Sequence, residues 1–443
     1  MTAPTRRAED LRITDAVVRL PEQFPATRSW AWAFAAALVL LALWAVSVAV
    51  LFANGVGVWG NDMPVNWGLA IVNYIWFLGI GHAGTLISAL LLLLNQNWRN
   101  SLNRFAEAMT LCAVICAGLY PILHLGRPWR FYWMAPYPNT MEIWPQFKSP
   151  LAWDFFAVLT YLIVSALFWF IGILPDLAAA RDRATKRRWQ LFFGLAALGW
   201  RGSAFHWARW RQTYVLCAGI AVPLVVSVHS EISLLLAAGP VPGWNSTVFP
   251  AYFVLGAAFS GFAVVAMIAV MLRPMLGIET LVTERHLDLL GRMLLVTGLM
   301  TAYGYAFEVF DALYAGGEEL ESLHDRLWGT ASWSYWGALL FNFVPLQLLW
   351  WRRVRVAPLP LFLISFSVAV GMWMERYMLL VTSLSRDWLV SSWGGYAPSL
   401  WEWTLFAGMG GVFLVPFLLF VRFLPTISAT EIKEARHEES ADG

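Results

Sequence analysis

His124 closes one long apolar run, LCAVICAGLYPILHLG, and Asp154 opens the next, LAWDFF. An imidazole and a carboxylate at the facing ends of two consecutive apolar helices would meet at one edge of a membrane, where both can accept protons near neutral pH. The segment between them carries Arg127, Trp129, Arg130, Tyr132, Trp133 and Tyr137, broken by Pro128, Pro136, Pro138, Pro145 and Pro150. It reads as a structured lid at headgroup level. A second ionisable pair, His229 and Glu231, stands near the same end of a later apolar run, TYVLCAGIAVPLVVSVHSEISLLLAAG. Such groups are costly inside a bilayer and are therefore candidates for a function.

The elements that must hold these residues follow from composition. The chain has 443 residues, 59% hydrophobic and only 13% charged, with a mean hydropathy of +0.60. That is more apolar surface than one soluble core uses, so an all-α polytopic membrane protein is expected. Runs of membrane-spanning length, about 20 residues, lie near 30–54, 66–95, 103–125, 150–174, 211–237, 248–272, 286–315, 331–350, 358–382 and 400–424, which makes ten spans. The division is then a tail 1–29, a transmembrane domain 30–424 and a tail 425–443. Many of the 27 Trp, such as Trp30, Trp67, Trp98, Trp350 and Trp401, sit at the ends of these runs as interfacial anchors.

Lys and Arg set the expected orientation. With the N-terminus inside, 24 of the 30 basic residues fall in inner segments and 5 in outer ones. Both termini are therefore expected in the cytoplasm, with His124 and Asp154 facing outward. The net charge of +2 gives no reason to expect nucleic acid. Cys112, Cys116 and Cys217 lie within apolar spans and read as small core residues. No cleavable signal is expected ahead of the first span.

Further ionisable residues mark the interior of the spans. His82 is surrounded by Gly79, Gly81 and Gly84, with Ser88 following, so a close helix neighbour is expected. His82 itself reads as a hydrogen-bonded packing residue, with a proton-path role as the alternative. Glu308 and Asp311 lie towards the outer end of the seventh span, beside Tyr303 and Tyr305. Glu375 and Arg376 lie near the centre of the ninth, where mutual compensation and a proton relay are both open readings. The basic, Trp-rich stretch from Arg181 to Arg211 reads as an amphipathic helix on the inner leaflet, with His206 on its solvated surface. Spans two to five and six to nine repeat a pattern of a Gly-rich helix, a basic link and a helix closing on His124 or Glu308. That pattern points to two four-helix bundles.

His124, Asp154, His229 and Glu231 together suit the oxidation of a hydroquinone. That reaction needs an apolar slot for the isoprenoid tail and a base for each phenolic proton. The sequence has no haem-attachment motif, no cysteine set for an iron–sulphur cluster, no nucleotide loop and no paired metal-ligand spacing. Electrons leaving a quinol here must pass to a partner. A b-type haem held by His124 and His229 is the rival within this reading.

HLGRPWRFYW, LAWDFF, LALGWRGSAFHW, the SVHS of the fifth span, VPGWNST, FPAYFVLGAAFSGF, GMWMERY and VTSLSRDWLVSSW together resemble the NrfD/PsrC-type membrane subunits, in particular the quinol-oxidising ones of alternative complex III. The resemblance implies a ten-helix subunit of the bacterial cytoplasmic membrane with two four-helix bundles and a periplasmic quinol pocket. The pocket's proton acceptors would match His124 and Asp154, and Glu308 and Glu375 would match a proton path. The substrate would be menaquinol or ubiquinol, and no haem or iron–sulphur cluster would reside in this chain. Electrons would leave through a periplasmic iron–sulphur subunit and a multihaem c-type cytochrome, with a second NrfD-like membrane subunit alongside. One departure stands out: the family's aspartate two turns after the SVHS histidine is replaced by Leu234 and Leu235, and Glu231 is the candidate substitute. The same residues serve quinone reduction by a polysulfide- or nitrite-type oxidoreductase. From another class, an ion or solute transporter also carries intramembrane charges.

Overall fold

In a bilayer every backbone N–H and C=O must find a partner within its own segment, so apolar runs of this length fold as helices. The computed structural model describes residues 10–15, 17–18, 26–135, 150–239, 241, 243–244, 246–386 and 390–442. Tyr137, Pro136, Pro138 and Pro145 of the expected lid lie outside them. The helices are α1 (Arg28–Asn54), α2 (Leu69–Thr85), α3 (Asn103–His124), α4 (Pro150–Arg183), α5 (Arg187–Ala196), α6 (Ala204–Ala237), α7 (Phe249–Leu276) and α8 (Glu284–Ala315). They continue with α9 (Gly317–Trp328), α10 (Ser332–Phe343), α11 (Arg352–Val356), α12 (Pro358–Tyr377), α13 (Leu400–Phe423) and α14 (Ala429–Asp442). Among the described residues, nine helices are long and apolar enough to cross a membrane.

The expected eighth span, 331–350, is the exception. Helix α10 ends at Phe343 and the chain continues as a 3₁₀ segment, Pro345–Trp350. Pro345 has no N–H to extend the α-helical ladder, and its ring clashes with the preceding turn. The span is replaced by this broken element.

The two-bundle expectation holds. Helices α2, α3, α4 and α6 pack together, as do α7, α8, α10 and α12, and the bundles meet where α7 lies against α2 and α6, and α12 against α2. Helices α1 and α13 pair with each other, and α13 leans on α3. The glycines around His82 serve close approach: a Cβ at Gly84 would overlap the Ala106 carbonyl and the Thr110 hydroxyl of α3. At the seam, a Cβ at Gly261 of α7 would overlap Ala83. Two π-helical segments interrupt the spans, Leu86–Leu90 at the end of α2 and Met378–Thr382 at the end of α12. Each begins just after buried ionisable residues, His82 in one case and Glu375 with Arg376 in the other.

Two loop expectations are corrected. The stretch 181–211 is not one surface helix. Its first residues complete α4, α5 covers the middle, the chain reverses at Leu198 and Gly199 in the left-handed region (φ 47° and 73°), and α6 starts at Ala204. Leu191, Phe192 and Leu195 remain exposed on α5, as a helix at an interface requires. His206, expected on the solvated surface, is partly exposed there. It accepts the Arg201 N–H at 3.2 Å through Nδ1 and packs its ring 5.4 Å from Trp200. The expected C-terminal tail folds back as α14, and Glu431 enters the base of the first bundle beside Arg99, Asn100 and Asn103.

Candidate functional site

Asp154 sits in the first turns of α4, and the Tyr74 hydroxyl of α2 donates to its Oδ1 at 2.9 Å. Glu231 of α6 lies within electrostatic reach of both. Its two carboxylate oxygens are buried and accept no hydrogen bond among the described residues. Three helices of the first bundle thus deliver a phenol and two carboxyl groups to one place. Outside this cluster, α3 and α4 enclose a cavity of about 310 Å³ lined by Ile115, Leu119, Phe155, Val158 and Leu162, with Asp154 as its acidic wall. Phe131 and Met134, from the 3₁₀ turn Pro128–Met134, also line it. The described part of the expected lid therefore packs against the cavity. An apolar cavity with one carboxyl group in its wall has the make-up of a small-molecule site, where a polar group fixes the orientation of an apolar ligand.

His124 closes α3 near this place, but the structure gives it no hydrogen bond to Asp154 among the described residues. Its Nε2 lies 3.1 Å from the Asn66 carbonyl oxygen, and its ring is 6.0 Å from Trp59. A carbonyl only accepts, so Nε2 carries the hydrogen and Nδ1 keeps the free lone pair. Arg127 is exposed just ahead of the 3₁₀ turn.

His229 does not line the groove. It is fully buried, its ring centroid 4.4 Å from that of His82 and 5.9 Å from Phe253 of the second bundle, and neither ring nitrogen has a hydrogen-bond partner among the described residues. The helical turn explains the divergence: residues two apart on α6 point to different sides, so Glu231 faces Asp154 while His229 faces the seam. A haem between His124 and His229 does not fit this arrangement, because His229 is packed ring against ring on His82. Both nitrogens of His82 meet carbonyls, Nδ1 that of Leu78 at 2.7 Å and Nε2 that of Val225 at 3.0 Å. The hydrogen-bonded packing expected of His82 is present, and the pairing with His229 adds to it.

Beyond Phe253 the polar groups continue into the second bundle. The Arg376 guanidinium carbon lies 4.1 Å from the Phe253 ring centroid, and Arg376 Nη1 donates to Glu375 Oε1 at 3.1 Å. The Tyr252 hydroxyl donates to the same oxygen. Tyr252 stands edge-on to Tyr305, centroids 5.6 Å apart. Glu308 pairs with Arg326 of α9 at 3.7 Å, and both are nearly buried. Asp311, half-buried, makes none of these contacts.

The profile of the NrfD family (polysulphide reductase, NrfD) matches residues 57–386. The chain belongs to the NrfD family. It is 22% identical over 404 residues to a selenate reductase subunit of Mesobacillus selenatarsenatis, covering 86% of this chain and 91% of that one. It is also 25% identical over 242 residues to a protein of Halobacterium salinarum named as a dimethyl sulfoxide reductase membrane subunit, covering 52% and 51%.

All the NrfD-family residues singled out from the sequence, from His82 to Arg376, fall within the matched segment; α13 and α14 follow it. Four partners of those residues escape the sequence: Tyr74, Tyr252, Phe253 and Arg326. An aromatic residue inside an apolar run reads as core, and only the neighbouring helix shows which ones point a hydroxyl or a ring at a charge. Arg326 lies in a short acidic helix whose spacing gives no sign that its side chain turns inward to Glu308.

Proposed function

We propose that this NrfD-family chain is the membrane subunit of an oxidoreductase complex and exchanges electrons with a membrane quinone in the groove that ends at Asp154. The observation that carries the reading is that groove: apolar along its length, open between two spans, and acidic at one end. Oxidation of the quinol releases two electrons and two protons. Asp154, held by Tyr74, accepts one proton from the phenolic oxygen nearest it. His124 Nδ1 is the candidate for the second, and Glu231 shares negative charge with Asp154 as the site empties. Arg127 sits at the entrance to the lid, as a contact for the ring or for the partner that covers it. The electrons leave for an iron–sulphur subunit on the His124 side; the Lys and Arg asymmetry supports reading that side as the outer, periplasmic face.

The motif resemblance favours the quinol-oxidising ActC-type subunit of alternative complex III, with a multihaem c-type cytochrome and a second NrfD-like membrane subunit as partners. The relatives' names favour a second reading, in which the same site feeds a selenate- or sulfoxide-type reductase. Glu308, Asp311, Glu375, Arg376 and His82 are proposed to belong to a proton path in either case. Purification in mild detergent, subunit identification and a quinol-oxidation assay test the proposal together. A complex with an iron–sulphur subunit that oxidises quinol supports it, and a multihaem cytochrome selects the first partner set. A chain that purifies alone and carries a solute across vesicles overturns it.

A further inference from the structure

The end of the first bundle remote from Asp154 holds a buried ionic cluster that the quinone site does not use. Arg104 of α3 is fully buried. Its Nη2 donates to the Gly172 carbonyl at 2.6 Å, and its Nη1 donates to Glu107 Oε2 at 3.2 Å and to the Tyr214 hydroxyl at 3.4 Å. Asp176 of α4 lies 3.7 Å from its Nε and Glu431 of α14 lies 3.9 Å from its Nη2. Arg99 completes the set, 2.6 Å from Glu431.

Three carboxylates therefore face two guanidinium groups out of water. A carboxylate held out of water without a close partner is costly, and one proton on a carboxylate removes that cost. Asp176 has the geometry to receive it. The residue is 1% exposed, the Thr430 backbone lies beside its carboxyl group, and neither oxygen has a hydrogen-bond partner within the distance and angle limits of a normal bond among the described residues. Lys433, half-buried on α14, faces Asp176 from the rim, with Arg183, Asp10 and Asp15 around it.

Hydroxyl groups lead from the cluster towards the seam. Ser88, in the π-helical segment of α2, lies beside the Glu107 carboxylate and also donates to the Asn103 carbonyl at 3.2 Å. One turn on, Thr85 is 3.3 Å from the Tyr161 hydroxyl, and the Tyr161 ring centroid is 5.3 Å from that of His82. All are buried, and His82 touches His229, whose nitrogens are unpartnered among the described residues. We propose that this cluster is a proton-loading site and that the hydroxyls of Ser88, Thr85 and Tyr161 pass its proton to the His82–His229 pair. Only O–H and N–H bonds change: the proton leaves the Glu107 or Asp176 carboxyl, is handed from hydroxyl to hydroxyl and ends on an imidazole nitrogen. Water at the Lys433 rim refills the carboxyl. The inference rests on the proposed quinone reaction for what drives the transfer, not for the existence of the site.

The test uses the purified complex in vesicles. Infrared spectroscopy reads the protonated-carboxyl band without turnover, quinol oxidation is measured with an uncoupler, and a trapped dye follows proton uptake on the Arg104 side. Glu107→Gln is expected to remove carboxyl-band intensity and to lower uptake by about 10²-fold, with uncoupled oxidation unchanged. Tyr161→Phe and Thr85→Val should keep the band and lower uptake. A band unchanged in both Glu107→Gln and Asp176→Asn overturns the loading site. Uptake unchanged in Tyr161→Phe and Thr85→Val overturns the route to the histidines. If the intact complex oxidises no quinol, the proposed function falls, and the infrared band alone still decides the site.

Discussion

Tyr74 and Asp154 are joined across the α2–α4 interface by a 2.9 Å hydrogen bond in which the phenol donates to the carboxylate. This bond orients the acid in the wall of the apolar groove and uses one of its two oxygens, and in the proposed reaction the other meets the substrate hydroxyl. Asp154→Asn removes the base while keeping the size of the side chain. It should cut quinol oxidation by about 10²–10⁴-fold. Tyr74→Phe removes only the orienting bond, worth about 1 kcal/mol and hence a several-fold loss. Steady-state oxidation by the assembled complex checks both, and equal losses in the two variants would show that Tyr74 does more than orient.

His124→Gln separates the second proposed proton acceptor from the first. Glutamine retains an N–H for the Asn66 carbonyl but has no imidazole lone pair. Loss of oxidation with assembly intact is the expected outcome. Full turnover would remove His124 from the chemistry and leave it as a link between the end of α3 and the segment before α2.

The helices, apart from the broken eighth span, and the two bundles are legible in the sequence, because bilayer length and helical period constrain them strongly. Which residues meet is not. His229 and Glu231 look like one pair when only their spacing is known, yet they serve different neighbours because two positions on a helix diverge in direction. Glu431 illustrates the other limit. A charged residue in a polar terminal segment reads as solvated, and only the packing of α14 under the first bundle brings it to Arg99 and Arg104. The break in the eighth span had a visible signal in Pro345, but the apolar run around it masked the signal.

Burial opposes the charge on Glu431, but Arg99 and Arg104 hold its carboxyl below the ordinary glutamate range. A carboxyl with a lowered folded-state pKa stabilises the docked state fully above its unfolded value, about 4.3. That stabilisation is lost as pH falls through the lower folded value. Docking of α14 should therefore be constant near neutrality and weaken in acid. Hydrogen exchange of residues 429–434 across a pH series checks this, after correction for the intrinsic pH dependence of exchange. Glu431→Gln should expose the helix at neutral pH and flatten the response.

Glu231 gives the last test, because it is the proposed substitute for the acid that the motif resemblance implies near Leu234 and Leu235. Leu234 is 46% exposed, so its side chain points away from the cluster around Asp154. Leu235 lies one helical turn, about 5.4 Å, beyond Glu231 on the same side of α6. Glu231 reaches the neighbourhood of Asp154 and Tyr74 without any other hydrogen-bond partner among the described residues. A buried acid with no structural partner is not explained by a packing role, whereas a carboxyl that exchanges protons with the site needs its oxygens free. Glu231→Gln should lower quinol oxidation, and Leu235→Asp in that background should restore part of it by returning an acid to the same face. Both are read as turnover against quinol concentration, so that a lost proton acceptor, which lowers kcat, is distinguished from a distorted groove, which raises KM. Unchanged turnover in Glu231→Gln would remove Glu231 from the proton chemistry and leave Asp154 as the acid that serves the groove.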